Sequence, residues 1–303
     1  MFWKKSSFYL ENVEDMQTFA VKDLFEDKPF NAGWDSMNKI NELMECHDEL
    51  RMVTKEKIGQ VLQVATLAVT KHSCKHLDSQ NEHTNDSRPE RIVLANTHLF
   101  YHPMADHIRT MQTYAICMKL DQIRHKQKPS APIIFAGDLN SCTRSGAVHL
   151  LSEGTVQPKH PRCWRFLNSY QWEGSAEDND GDGGGMSYVN NVDVKPIFDH
   201  DETAVPPSVP TISLSPSFPV LALGCTEMPD FTNFAKGFIE TLDYIFVSTP
   251  SKKDRFGFRS SKSAPMPSRD LVSQYVAMPN EFMPSDHVAV ACDLKWQRYE
   301  GQK

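Results

Sequence analysis

Pro132-Ile133-Ile134-Phe135-Ala136-Gly137-Asp138-Leu139-Asn140-Ser141 is the most telling stretch of this chain. Ile133, Ile134 and Phe135 form an apolar run with two β-branched residues, the composition of a buried strand. Gly, Asp, Asn and Ser then arrive together, where a strand gives way to a loop. Asp138 and Asn140 are two apart, and on an extended segment residues i and i+2 point to the same side. A carboxylate and a carboxamide are thus offered side by side at the mouth of a sheet. Hard oxygen donors so arranged suit Mg2+ and a phosphate. A strand ending in an Asx turn uses the same residues, so the flanking segments must separate the two readings.

On the N-terminal side, Arg91–Leu99 reads as a strand ending in the polar groups Asn96 and His98. Residues 105–127 carry Ile108, Met111, Ala115, Met118 and Ile123, the period of a helix with one buried face. Arg124, His125, Lys126 and Lys128 suit its C-terminus, and Pro129 stops it. Strand, helix and strand make a crossover unit, so this region is α/β. Further upstream, residues 2–10 and 61–69 read as strands and residues 35–52 as an amphipathic helix. On the C-terminal side, residues 143–154 read as a short helix. Leu242–Val247 is a strand with Asp243 near its start, and residues 249–270 read as a polar loop. Ser285-Asp286-His287 is a turn that runs straight into a strand.

Two segments read as surface. Residues 70–90 contain His72, Cys74, His76 and His83, but their spacing matches no standard zinc pattern. Residues 171–210 combine an acidic run, Gly183-Gly184-Gly185 and clustered prolines, which reads as a flexible insertion. Its Asp178–Asp182 run is no calcium loop, because the twelfth position is Val189 rather than Glu.

Composition bounds the function. The 303 residues are 40% hydrophobic and 23% charged, ordinary for a globular protein. A net charge of −7 carries no global signature for polyanions, so binding one requires a local patch or a metal. No run approaches a membrane span, so no membrane partner is expected. Seven scattered cysteines fit free thiols in a reducing, intracellular setting better than a disulfide framework. Residues 1–10 do not read as a secretory signal, so Asn85-Asp86-Ser87, a formal glycosylation sequon, reads as chance.

Four strand ends therefore carry polar groups: Asn96 with His98, Asp138 with Asn140, Asp243, and Asp286 with His287. The edge of a sheet is where α/β folds assemble sites. A histidine oriented by a carboxylate can act as general base or stabilise charge on a phosphate. Asn96-Thr97-His98-Leu99, Gly137–Ser141, Leu242–Phe246 and Ser285-Asp286-His287, in that order, resemble the motifs of the endonuclease/exonuclease/phosphatase superfamily. Phe231-Thr232-Asn233-Phe234 ahead of Gly237-Phe238, with Ile108-Arg109 and Gln112, is similar to its deadenylase branch, and most of all to the mitochondrial 2′,5′-phosphodiesterases.

The resemblance implies a four-layer αββα sandwich and an Mg2+-dependent phosphodiesterase or 3′-exoribonuclease. Its substrate would be 2′,5′-oligoadenylate or poly(A), with release of AMP and no obligate protein partner. It implies His287 as catalytic histidine, Asp243 as the acid that orients it, and Asp138 positioning the attacking water. Asn140 and His98 would contact the scissile phosphate and Asp286 the metal, with Asn96, Arg109, Asn233 and Phe238 binding substrate, Phe238 by stacking on the base. It also implies a mitochondrial matrix location, with the cytoplasm as the alternative.

Two departures stand out. Met104-Ala105-Asp106 occupies the place of a Lys-Gly-Gly in the family, replacing a cation near the RNA backbone. The family's glutamate metal ligand comes from an early strand that should precede Lys5-Ser6-Ser7-Phe8. On this reading residues 1–303 are the C-terminal part of a single domain, incomplete on its N-terminal side. A catalytically inactive fragment that binds RNA or protein stays open as the alternative.

Overall fold

The computed structural model describes residues 1–70, 91–127, 130–168, 170 and 209–301. Its strands are β1 (Phe8–Tyr9), β2 (Met16–Ala20), β3 (Val61–Val69), β4 (Arg91–His98), β5 (Ile133–Asp138), β6 (Thr155–Val156), β7 (Ile212–Ser213), β8 (Leu221–Leu223), β9 (Asn233–Ala235), β10 (Phe238–Glu240), β11 (Asp243–Ser248), β12 (Phe256–Ser263) and β13 (Cys292–Arg298). Its α-helices are α1 (Ser36–Glu45), α2 (Asp48–Met52), α3 (Asp106–His125), α4 (Gly146–Glu153) and α5 (Arg269–Ser273). Strands β1, β3, β4, β5, β11 and β8 lie side by side in that order, with β2 also on β3, forming a seven-stranded sheet. Only β4 and β5 pair in parallel, and α3 is the crossover that a parallel pair requires.

Alternation along the strands sends their side chains to two different cores. Leu62, Val64, Val93, Ala95, Ile133, Phe135, Tyr244 and Phe246 join α1, α3 and α4 in the larger one. The residues between them, Ala65, Leu67, Ile92, Leu94, Ile134, Ile245 and Val247, meet Phe258 of β12 and Leu294 and Trp296 of β13. Strands β12 and β13 form their own antiparallel pair, with the Phe258 and Trp296 rings 4.6 Å apart. Helices, main sheet and second β layer thus stack as an α/β sandwich. The zinc and calcium readings, the Asn85 sequon, Lys128 and Pro129 fall outside the described residues, as does the insertion up to residue 208.

Helix α3 differs from its expected one-sided burial, being buried on nearly every side. Several of its buried polar residues bond within the protein, although both ring nitrogens of His107 are buried without a hydrogen-bond partner among the described residues. Thr110 and Thr113 donate to the carbonyls of Asp106 and Arg109 four residues back. Arg124 is held by Asp121 at 3.1 Å and Asp254 at 2.7 Å. Asp121 also accepts from Trp34 Nε1 and Ser217 Oγ.

Four boundaries also differ from expectation. Residues 2–10 contribute only Phe8–Tyr9 to the sheet, while Met1, Trp3 and Leu10 pack on the second core. The helix expected over 35–52 breaks at His47, which takes an extended conformation between α1 and α2. The 249–270 segment contains β12, because Phe256 and Phe258 bury its first half while the second half faces solvent. After His287 the chain pairs locally, Asn233 opposite His287, before β13 starts at Cys292.

Candidate active site

Register alone assembles most of the site. His98 lies opposite Asp138 on the β4–β5 pair, and Asp138 lies opposite Asp243 on the β5–β11 pair. These three residues therefore form a row across three strands. By alternation they point to the face that carries Leu94, Ile134 and Ile245, away from the helices. That face changes from apolar to acidic within one pleat, at the end of the sheet. Asn96 belongs to it too, and its Nδ2 donates to Ala136 O at 3.2 Å.

His287 arrives from outside the sheet. Its Nδ1 is 2.7 Å from Asp243 Oδ2, and its Nε2 is 3.8 Å from Asp138 Oδ2. His98 Nε2 lies 3.4 Å from the same Asp138 oxygen and is largely exposed. A carboxylate on Nδ1 fixes the tautomer that leaves Nε2 to exchange protons. The Asp243 contact is the largest influence on His287 and raises its pKa, against the opposing effect of burial. Burial chiefly raises the pKa of Asp138, the Asn140 N–H offsets part of this, and the nearby charge of Asp243 adds to the rise.

Several groups hold the row in place. Gly137 has φ of 153° and pairs with Thr97; a Cβ there would sit 1.9 Å from the Thr97 carbonyl oxygen. Asn140 has φ of 47°, a conformation asparagine tolerates better than most residues. Its backbone N–H donates to Asp138 Oδ1 at 2.8 Å and its Nδ2 to Leu99 O at 2.9 Å. The turn thus tethers the loops after β4 and β5 to each other. Thr232, fully buried, accepts through Oγ1 from the N–H groups of Leu242 and Asp243 at 2.9 and 3.0 Å. Its carbonyl accepts from Val288 N at 2.7 Å. One threonine thereby fixes the backbone beside both Asp243 and His287.

The expected site residues divide into three groups. His98, Asp138, Asp243 and His287 come together, with Asn140 and Asn96 at their margin. Phe238 stands half-exposed on β10, just past the Lys236-Gly237 turn where Gly237 takes φ of 82°. Asn233 and Arg109, expected to bind substrate, are both buried with partners inside the protein. Asn233 is buried and directs Nδ2 to Asp286 Oδ2 at 3.3 Å.

Arg109 is buried beneath the site. Its Nε donates to Ser141 Oγ at 3.1 Å and its Nη1 to the carbonyls of Phe100 and His102 at 3.2 and 2.5 Å. It is a clamp between the β4 and β5 loops. Thr232 was not singled out from the sequence: a threonine between two phenylalanine-flanked positions carries no signal of what its hydroxyl will cap.

The donor set suits a hard divalent cation. Ligand atoms of Asp138, Asp243 and His287 lie within 4.8 Å of one another. Two carboxylates are the oxygen donors such an ion prefers. His287 is already engaged by Asp243, which leaves the carboxylates as the natural ligands. Asp286, expected as the metal residue, is not part of this group among the described residues, and its carboxylate oxygen is engaged by Asn233.

An α/β sandwich with acids and histidines converging at one end of its sheet is the arrangement in which a metal and a phosphate can be held. The chain belongs to the endonuclease/exonuclease/phosphatase family, whose model matches residues 60–287. It is 29% identical over 301 residues to human 2′,5′-phosphodiesterase 12, covering 96% of this chain and 39% of that protein. It is 24% identical over 217 residues to the CCR4-Not complex 3′-5′-exoribonuclease subunit Ccr4 of Saccharomyces cerevisiae, covering 69% of this chain and 21% of that one. The chain thus spans about two fifths of the length of its 2′,5′-phosphodiesterase relatives. Its fold is similar to that of ANGEL2, a 2′,3′-cyclic phosphatase, with a TM-score of 0.55 at 15% identity, covering 96% of this chain and 68% of the other. The family is metal-dependent, and the Asp138, Asp243 and His287 group is one that could hold a metal ion.

Proposed function

We propose that this chain hydrolyses oligo- or poly-adenylate, 2′,5′- or 3′,5′-linked, from one end and releases AMP with Mg2+. The observation that carries this reading is the His98–Asp138–Asp243 row with His287 bound to Asp243. Asp138 and Asp243 are the residues that would hold Mg2+, which when bound neutralises charge on the phosphate. Asp243 orients His287 through Nδ1, leaving Nε2 to hold or move a proton beside Asp138. Asp138 positions water, His98 and Asn140 meet the phosphate, and Phe238 offers a ring on which an adenine can stack. The identity with proteins named 2′,5′-phosphodiesterase supports a phosphodiester substrate; the adenylate and a setting in the mitochondrial matrix or the cytoplasm are part of the proposal and rest on the motif resemblance.

The test is release of AMP from 2′,5′-linked triadenylate and from poly(A) with Mg2+, beside a His287→Ala control. AMP that disappears in the control supports the enzyme. A folded wild-type chain with no turnover on either substrate overturns it. A second reading is a non-catalytic module that binds RNA. It is favoured by the donor set, which offers two carboxylates of which one already holds His287. In that case RNA would bind with unchanged affinity in EDTA.

A further inference from the structure

Away from the catalytic row, the sandwich brings two thiols together. Cys225 follows β8 in the loop that leads to Phe231–Asn233, and Cys292 opens β13 just after the segment carrying His287. Both are free and partly exposed. Their approach is fixed from either side. Thr226 donates its N–H to Ser263 Oγ at 2.8 Å, and its Oγ1 lies 3.0 Å from the same oxygen. Ser263 is the register partner of Cys292 on the β12–β13 pair. Just before Cys225, Gly224 O accepts from Ser260 Oγ at 2.6 Å. The β8 loop is therefore pinned along β12, and this pinning brings Cys225 beside Cys292.

We infer that Cys225 and Cys292 form a redox modification site, closing to a reversible disulfide with a low-molecular-weight disulfide such as oxidised glutathione as the oxidant. Burial, then the neighbouring Cys225, push the Cys292 thiol up to about 11. With Cys225 as the attacking thiol the exchange runs in two steps, and the same product forms if Cys292 leads. The Cys225 thiolate, having lost a proton to solvent, bonds one sulfur of oxidised glutathione and expels glutathione thiolate. Cys292 then gives up its proton, attacks the Cys225 sulfur and expels the second glutathione thiolate. Both leaving groups take up the two protons. The net exchange turns one protein dithiol and one glutathione disulfide into a protein disulfide and two glutathione thiols.

The bond would close a ring around Asn233, Asp243, Asp286 and His287, tying the β8 loop to β13. Exposed Cys46, far from this pairing in sequence, would stop at the mixed disulfide.

The experiment oxidises the full chain with oxidised glutathione, digests it without reduction and maps linked peptides by mass spectrometry. A Cys225–Cys292 peptide, two hydrogens lighter than the sum of its parts and cleaved by dithiothreitol, is the expected product. Oxidation should raise the Tm of the wild type reversibly and leave the Tm of Cys225→Ser and Cys292→Ser unchanged, while Cys46→Ser behaves as wild type. Should either variant fail to fold, alkylation of the wild type before and after oxidation gives the same answer, through joint loss of both thiols. Recovery of the two cysteines as separate glutathione adducts overturns the assignment, as does their survival as free thiols, or a bond from either to another cysteine.

Discussion

Asp138 is where the residue scale shows function set against stability. Its carboxylate is mostly buried, faces Asp243 across the strand pair, and has a raised pKa for those reasons. Asparagine keeps the acceptor for the Asn140 N–H while removing a charge that burial and Asp243 both disfavour. Asp138→Asn is therefore expected to stabilise the fold by about 1 kcal/mol, the range typical of relieved active-site strain, while AMP release falls at least about a hundredfold. Urea unfolding beside a turnover assay checks both halves; an unstable variant would show that the charge is compensated in the folded state. Thr232 makes the opposite case. Thr232→Val keeps the shape but strands the N–H groups of Leu242 and Asp243, a loss of about 1–3 kcal/mol. Thr232→Ser should retain most of both stability and turnover. Equal behaviour of the two variants would show that the hydroxyl does not position Asp243.

The element scale explains what could be read before the fold was known. Strands β4 and β5 were legible because their apolar runs end in polar residues two apart, and β11 because its apolar run opens on an acid, Asp243. Local sequence does not contain register, so nothing in it shows that His98, Asp138 and Asp243 share one row. Nor does the periodicity of α3 separate Arg109 from a solvent-facing arginine, because its partners are loop carbonyls far along the chain. Strand β12 was hidden because its outer half, Arg259–Ser263, is as polar as a loop. These same elements carry a prediction. Arg109 is the buried clamp between the β4 and β5 loops, and Arg109→Leu removes it while leaving Asp106 buried without its charge partner. The expected cost is about 3–5 kcal/mol, read from urea unfolding. Arg109→Lys should recover only part of it, since a lysine cannot reach three acceptors in fixed directions. A leucine variant of wild-type stability would return Arg109 to the role of substrate ligand.

For the whole molecule, the converging acids leave a signature in how stability follows pH. His287 has a raised pKa, so its contribution to folding is complete below the ordinary value of 6.5 and is lost as pH rises through the raised value. Asp138 is raised as well: the fold prefers its protonated form, and that preference helps folding fully below the ordinary 3.8 and is lost as pH climbs through the raised value. Both groups act in the same direction, Asp138 from the acidic side and His287 above 6.5, so in EDTA the loss through His287 is expected to make the Tm lower at about pH 8 than at about pH 6. A divalent cation that binds the ionised carboxylates of the folded state reverses the trend, because a ligand of the native state alone stabilises it in proportion to RT ln(1 + [L]/Kd). Millimolar Mg2+ should therefore raise the Tm, and by more on the alkaline side. Other carboxylates and histidines titrate over the same range, so the informative quantity is the difference between the wild type and Asp138→Asn. That variant should show a flatter pH profile in EDTA and a smaller response to Mg2+. A wild-type Tm indifferent to Mg2+ at both pH values would mean that the acids at the end of this sheet do not by themselves hold the ion, and the non-catalytic reading would then take precedence.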